Sequence, residues 1–120
     1  KNNIVSVSLD EFVLMHEKMP DVVASELEQN RSQYVVVDVR LPEEIEKDDM
    51  IPGSIVATLG DSLLAFLASA DKSKAYVFVC NSGIRGTFSA ITAKLSGFDA
   101  HVLRYGYMGW LMHEYNLAPE

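Results

Sequence analysis

Apolar positions along this chain follow two kinds of pattern. Residues 34–39 and Ala75–Val79 are continuous β-branched and aromatic runs, as expected of strands buried on both faces of a parallel sheet. Shorter runs at 4–7, 55–57 and 101–103 predict further strands. Between these runs apolar residues recur at helical spacing. Ser8 and Glu11 form a capping box ahead of Phe12, Val13 and Leu14, and that helix stops before Pro20. Asp21 is placed to cap a second stretch carrying Val22, Val23 and Leu27. Pro42 starts a short helix, with Glu43 and Glu44 beside its positive end. Asp61 or Ser62 caps a helix turning Leu63, Leu64, Phe66 and Leu67 to the core. From Arg85, the positions Phe88, Ile91, Thr92 and Leu95 mark another helix, which Gly97 ends. Tyr105, Gly106 and Gly109 lead into a last one, where Trp110 is a core anchor. This alternation predicts an α/β sandwich with a largely parallel sheet of about five strands.

The sole cysteine, Cys80, ends the strand Ala75–Val79 and precedes the turn-forming residues Asn81, Ser82 and Gly83. In open α/β sheets ligands bind beyond the carboxyl ends of the strands, which is where Cys80 falls. A free cysteine taken alone is a small buried hydrophobe. Its position at a strand exit, before a glycine-containing turn and Arg85, argues instead for chemistry. Successive N–H groups in such a turn make an anion-binding nest, and the following helix adds its positive end. Both favour thiolate: an ordinary cysteine of pKa ~8.5 is only roughly 3% ionised at pH 7, whereas electropositive surroundings bring the pKa to ~3.5–7.5. Arg85 closes the loop with a planar fork suited to an oxyanion. Asp38 and Arg40 reach the same sheet edge if the strands are parallel. They serve either as support behind the site or as ordinary ion pairs with Glu43 or Glu44.

Cys80-Asn-Ser-Gly-Ile-Arg85 resembles the active-site loop of the rhodanese family, a Cys and an Arg separated by four residues. The resemblance continues in Val36-Val37-Asp38-Val39-Arg40 and Ile51-Pro52-Gly53-Ser54, then in Gly97-Phe98 and the run from Leu103 to Trp110. Together these cover roughly two-thirds of the chain, in the family's order. The resemblance implies one rhodanese-like domain over residues 1–120, a three-layer sandwich with a mainly parallel sheet flanked by helices. It further implies a sulfurtransferase: Cys80 takes a sulfane sulfur as a persulfide, with Arg85 beside it. Asn81, Ser82, Gly83, Ile84 and Gly86 then form the substrate-binding loop, and Asp38 and Arg40 support it. The implied partners are a small anionic sulfur donor such as thiosulfate, a thiol or cyanide acceptor, and a sulfur-carrier protein; no metal or organic cofactor is needed. Two departures stand out: Asp49-Met50 where the family usually has Gly-His, and Tyr105 where it often has the first of two glycines.

Composition narrows the field further. A formal charge of −7 disfavours nucleic acid and anionic membrane surfaces as partners. No apolar run approaches the ~20 residues of a membrane span, and the N-terminus lacks a signal-peptide layout. A cytoplasmic location is the expectation, although a start at Lys1 leaves room for a removed leader. No Cys, His or carboxylate spacing suggests a metal, and His16 is read as a solvated helix residue. Two other functions compete with sulfur transfer. One is a phosphatase or arsenate reductase on a related scaffold, whose Cys-to-Arg loop is one residue longer in the phosphatases. The other is a non-catalytic rhodanese-like regulatory or protein-binding module, against which the presence of both Cys80 and Arg85 argues.

Overall fold

The structure, a computed structural model, describes Ser8 and residues 19–117. The strand expected at 4–7, the helix expected through Phe12, Val13 and Leu14, and His16 lie outside the described residues. Five strands, β1 (Asp21–Val22), β2 (Tyr34–Asp38), β3 (Ile55–Val56), β4 (Ala75–Val79) and β5 (Asp99–Leu103), form one sheet in the order β1-β5-β4-β2-β3. Every neighbouring pair is parallel, so all carboxyl ends share one edge. Central β4 pairs with β2 over Tyr34↔Ala75 to Asp38↔Val79 and with β5 over Ala75↔Asp99 to Phe78↔Val102. This explains why its sequence is apolar throughout: both faces are covered.

The helices are α1 (Ala24–Gln29), α2 (Pro42–Asp48), α3 (Asp61–Ser69), α4 (Ile84–Leu95) and α5 (Gly106–Glu114). Side-chain alternation along the strands divides the interior into two cores. Val37, Tyr76 and Phe78 pack with Leu63 and Leu67 of α3 and Ala90, Ile91 and Ala93 of α4. Val36, Val77, Val79 and Leu103 pack on the other face with Leu27 of α1 and Tyr107 and Trp110 of α5. The result is the expected three-layer α/β sandwich, with Trp110 in the core.

Two local expectations are corrected. Asp21 does not cap a helix: Asp21–Val22 is an edge strand in register with Val102 and Leu103, and α1 starts only at Ala24. The β-branched Val22 gains a buried place there, while the Asp21 carboxylate takes Arg104 at 2.8 and 3.1 Å. In α3 the N-cap is Gly60; Leu63 and Leu67 are buried, but Leu64 points to solvent and Phe66 packs only at the margin. In α4 Phe88 and Leu95 are exposed, and the inward face is Gly86, Thr87, Ser89, Ala90, Ile91 and Ala93. Small residues bring this helix close to the sheet: a Cβ on Gly86 would stand 3.1 Å from both the Phe78 carbonyl oxygen and Val102 Cγ2.

Candidate active site

β4 delivers Cys80 to the carboxyl edge of the sheet, where it is 1% exposed. Its sulfur accepts a hydrogen bond from the Gly83 N–H at 3.0 Å. Gly83 makes this possible by turning back with φ 119°, a left-handed conformation that side chains disfavour. The Gly83 carbonyl then accepts from the Thr87 N–H at 2.9 Å and the Thr87 hydroxyl at 2.8 Å, starting α4. Asn81, Ser82 and Ile84 are exposed, whereas Gly86 is buried against β4 and β5. The predicted strand-loop-helix is therefore present, with the sulfur at its centre and the helix N-terminus beside it.

A second element fixes the loop from the other side. The N–H groups of Tyr107 and Met108, which the first turn of α5 leaves unpaired within the helix, donate to the Cys80 and Asn81 carbonyls at 2.7 and 3.1 Å. Contact this close requires Gly106, because a Cβ there would run into the Cys80 carbonyl and stand 2.8 Å from the Asn81 carbonyl oxygen. Tyr105, one of the two departures from the family pattern, precedes it at φ 62° and is exposed beside Gly83.

Arg85 lies in the first turn of α4, but its guanidinium does not stand free. Nη1 and Nη2 donate to the two carboxylate oxygens of Glu44 at 2.5 and 2.9 Å. Glu44 Oε1 also accepts from the Leu41 N–H at 3.0 Å at the start of α2. The hydrogen bond from Arg85, outweighing partial burial, pulls the Glu44 carboxyl from the usual 4.5 down to about 2, with help from the Leu41 N–H. Arg85 is raised in turn, chiefly by that hydrogen bond, which outweighs partial burial, and the charge of Glu44 adds to it.

Asp38 and Arg40 are brought together with each other rather than with Glu43 or Glu44. Both are almost wholly buried, and Arg40 Nε and Nη2 reach the Asp38 carboxylate at 3.0 and 2.8 Å. Burial alone would make the Arg40 charge less favourable, but the Asp38 hydrogen bonds and charge outweigh it. Nη2 also donates to the Asp49 carbonyl at 2.7 Å, and the guanidinium carbon lies 4.3 Å from the Tyr107 ring centroid. Among the described residues Nη1 has no hydrogen-bond partner, and the Tyr107 ring face beside the guanidinium offsets part of that loss. Asp49, which stands where the family usually has glycine, keeps a glycine-like φ of 71° and turns its backbone carbonyl onto Arg40, a contact that does not depend on its side chain. The buried pair thus bridges β2, the turn after α2 and α5.

Sequence reasoning missed two parts of this site. Glu44 was legible as a first-turn acid but not as the partner of Arg85, 41 residues away. The α5 clamp was signalled only by paired glycines near the end of the chain. Among the described residues no group of three or more His, Cys, Asp or Glu side chains could hold a metal ion, and no helix is long and apolar enough to cross a membrane.

Comparison with known proteins places this geometry in context. The family profile described as Rhodanese-like domain matches residues 19–113. The chain is 30% identical over 97 residues to a protein of Shewanella sediminis (strain HAW-EB3) named "tRNA sulfurtransferase", covering 79% of this chain but only 18% of that relative's length. It is 32% identical over 78 residues to "Putative sulfurtransferase YtwF" of Bacillus subtilis (strain 168), covering 65% of this chain and 74% of that one. Among solved structures, a rhodanese-like domain protein from Staphylococcus aureus superposes with a TM-score of 0.69 at 26% identity, over 77% of this chain and 91% of that one.

Proposed function

The chain belongs to the rhodanese-like domain family, and from that premise we propose that it is a sulfurtransferase carrying a sulfane sulfur on Cys80. The observation that carries this reading is the Cys80 sulfur at the exit of β4, met by the Gly83 N–H at the entry of α4. In the first half-reaction the Cys80 thiolate attacks the outer sulfur of a donor R–S–S⁻. The donor's S–S bond breaks, its electron pair leaves with the R–S⁻ thiolate, and Cys80–S–S⁻ remains. With thiosulfate as donor the leaving group is sulfite. An acceptor thiolate or cyanide then attacks the outer sulfur and regenerates Cys80 as thiolate, a two-step covalent cycle in which electrons balance at each step. Gly83 steadies the negative charge on sulfur, with the other loop N–H groups from Asn81 to Gly86 and the α4 N-terminus around it. Arg85 and the buried Asp38–Arg40 pair hold the loop in shape.

Phosphate-ester chemistry has less support. The loop has four residues between Cys80 and Arg85, one fewer than in the related phosphatases, and the guanidinium that would receive the oxyanion is on Glu44. The relative named as a tRNA sulfurtransferase supports sulfur transfer as the chemistry.

The test is a mass spectrum of the protein after incubation with a sulfane-sulfur donor. A gain of one sulfur atom, absent in Cys80→Ser and discharged by added thiol, is the expected result. No gain with either thiosulfate or an organic persulfide overturns the reading.

A further inference from the structure

Within the sulfurtransferase reading, on which this inference rests, the charges around Cys80 bear on which donor it takes. Thiosulfate is a dianion, so attracting it calls for an uncommitted cation. Arg85 is the only cationic residue between Cys80 and Thr92, and each of its terminal nitrogens donates to Glu44, whose carboxylate balances its charge. Glu44 is itself fixed by the Leu41 N–H, so the carboxylate belongs to α2 and does not merely trail from the surface. The neighbouring arginines of this sheet edge are matched as well. Arg40 is buried on Asp38, and Arg104, directly after β5, is paired with Asp21. The chain as a whole carries −7, so its field repels a dianion instead of gathering it.

The surface beside the loop is apolar instead. Leu41, Ile84, Tyr105 and Met108 are all exposed, and each is tied to the site through the backbone. Leu41 donates to Glu44, Ile84 is a loop residue, Tyr105 adjoins Gly83, and Met108 donates to the Asn81 carbonyl. Four large apolar side chains exposed on the loop and on the segments bonded to it suit a substrate with an apolar body.

We propose that Glu44 determines donor specificity: by occupying the fork of Arg85 it turns the site away from small dianions such as thiosulfate and toward organic persulfides of low charge, whose bodies rest on Leu41, Ile84, Tyr105 and Met108. Glu44 is a positioning residue here, acting through Arg85. With its carboxyl held near 2 it stays ionised throughout the neutral range, so the fork is not released by protonation at working pH.

The experiment compares thiosulfate with benzyl persulfide, which carries at most one negative charge, using one thiol acceptor for both. Wild-type protein is expected to favour benzyl persulfide in kcat/KM. Glu44→Gln should raise the ratio of thiosulfate to benzyl persulfide kcat/KM about tenfold or more, since charge-assisted bonds from Arg85 become open to the dianion. The ratio is the readout because any general loosening of the loop lowers both numbers and cancels. Glu44→Ala is read in the same way, since a glutamine oxygen can still accept one bond from Arg85. A ratio that stays within about twofold in both variants overturns the proposal.

A binding measurement separates this failure from that of the reading beneath it. Calorimetric titration of thiosulfate into Cys80→Ser protein involves no turnover, and adding Glu44→Ala should tighten Kd about tenfold. Unchanged affinity overturns the role of Glu44 whether or not sulfur is transferred. Tighter affinity in a protein that forms no persulfide from either donor upholds the exclusion of dianions and overturns only the sulfurtransferase.

Discussion

The N–H of Tyr107 donates to the carbonyl of Cys80 across 2.7 Å, so the residue proposed to carry sulfur is anchored by a helix that begins after the last strand. Everything in that contact depends on Gly106 being small and at φ 59°. Gly106→Ala meets backbone, not a flexible side-chain tip, and is expected to cost about 2–4 kcal/mol, strain and overlap together. Gly97→Ala is the control, because Gly97 also has positive φ but the added Cβ meets only the flexible Lys72 side chain, at an ordinary 3.6 Å. It should cost about 1 kcal/mol. Urea denaturation of the two variants measures the difference, and equal losses would show that α5 does not clamp the loop.

A second expectation concerns the buried pair behind the loop. Asp38→Asn leaves Arg40 charged, desolvated and without its counter-ion, a change worth about 3–5 kcal/mol of destabilisation. Replacing both residues at once, Asp38→Asn with Arg40→Met, removes the charge along with its partner and should cost distinctly less than the single change. Denaturant midpoints of the two singles and the double test this. Additive losses would mean that the Asp38–Arg40 contact contributes little.

Much of this arrangement was legible in the sequence, and the parts that were not have physical reasons. β2 and β4 announced themselves because strands covered on both faces must be apolar without interruption, and the parallel order then put Cys80, Asp38 and Arg40 at one edge. The inward face of α4 was not legible, for the opposite reason. Where a helix lies close to a sheet, the buried positions are small, so Ala90, Ala93 and Gly86 carry the packing while Phe88 and Leu95 are left outside. Val22 and Val23 fit either a helix or an extended strand, and only β5 alongside decides for Asp21–Val22. The Glu44–Arg85 contact left no local trace at all, since it exists only once α2 and α4 are docked on the same sheet edge.

That contact makes a prediction about pH. Glu44 titrates at about 2 in the folded protein against an ordinary 4.5, so its contribution to stability is fully present above pH 4.5 and is lost as pH falls from there toward 2. The pair is about one-third exposed, and solvent screening limits the contribution to about 1 kcal/mol. The difference in unfolding free energy between wild type and Glu44→Gln should therefore be constant from pH 8 to 5, then shrink on acidification. A difference that grows below pH 4.5 has the wrong sign and would rule out the pairing.

The same pair predicts a rescue at Arg85. Arg85→Ala removes a cation whose field reaches Cys80 and leaves the Glu44 carboxylate unpaired beside the loop, so two effects act against a negatively charged sulfur. Alkylation of Cys80 by iodoacetamide, a neutral reagent, should slow about tenfold in this variant. Adding Glu44→Gln removes the stranded negative charge and should recover a good part of the rate, even though it breaks the loop's brace no less completely. Arg85→Lys should fall between wild type and Arg85→Ala, because an ammonium supplies the charge but not the two-point fit to Glu44. If Arg85 acts only as a mechanical brace, the double variant will be no faster than Arg85→Ala and lysine will do no better than alanine. Pseudo-first-order alkylation rates of the four proteins at one neutral pH distinguish the two roles without requiring any knowledge of the physiological donor.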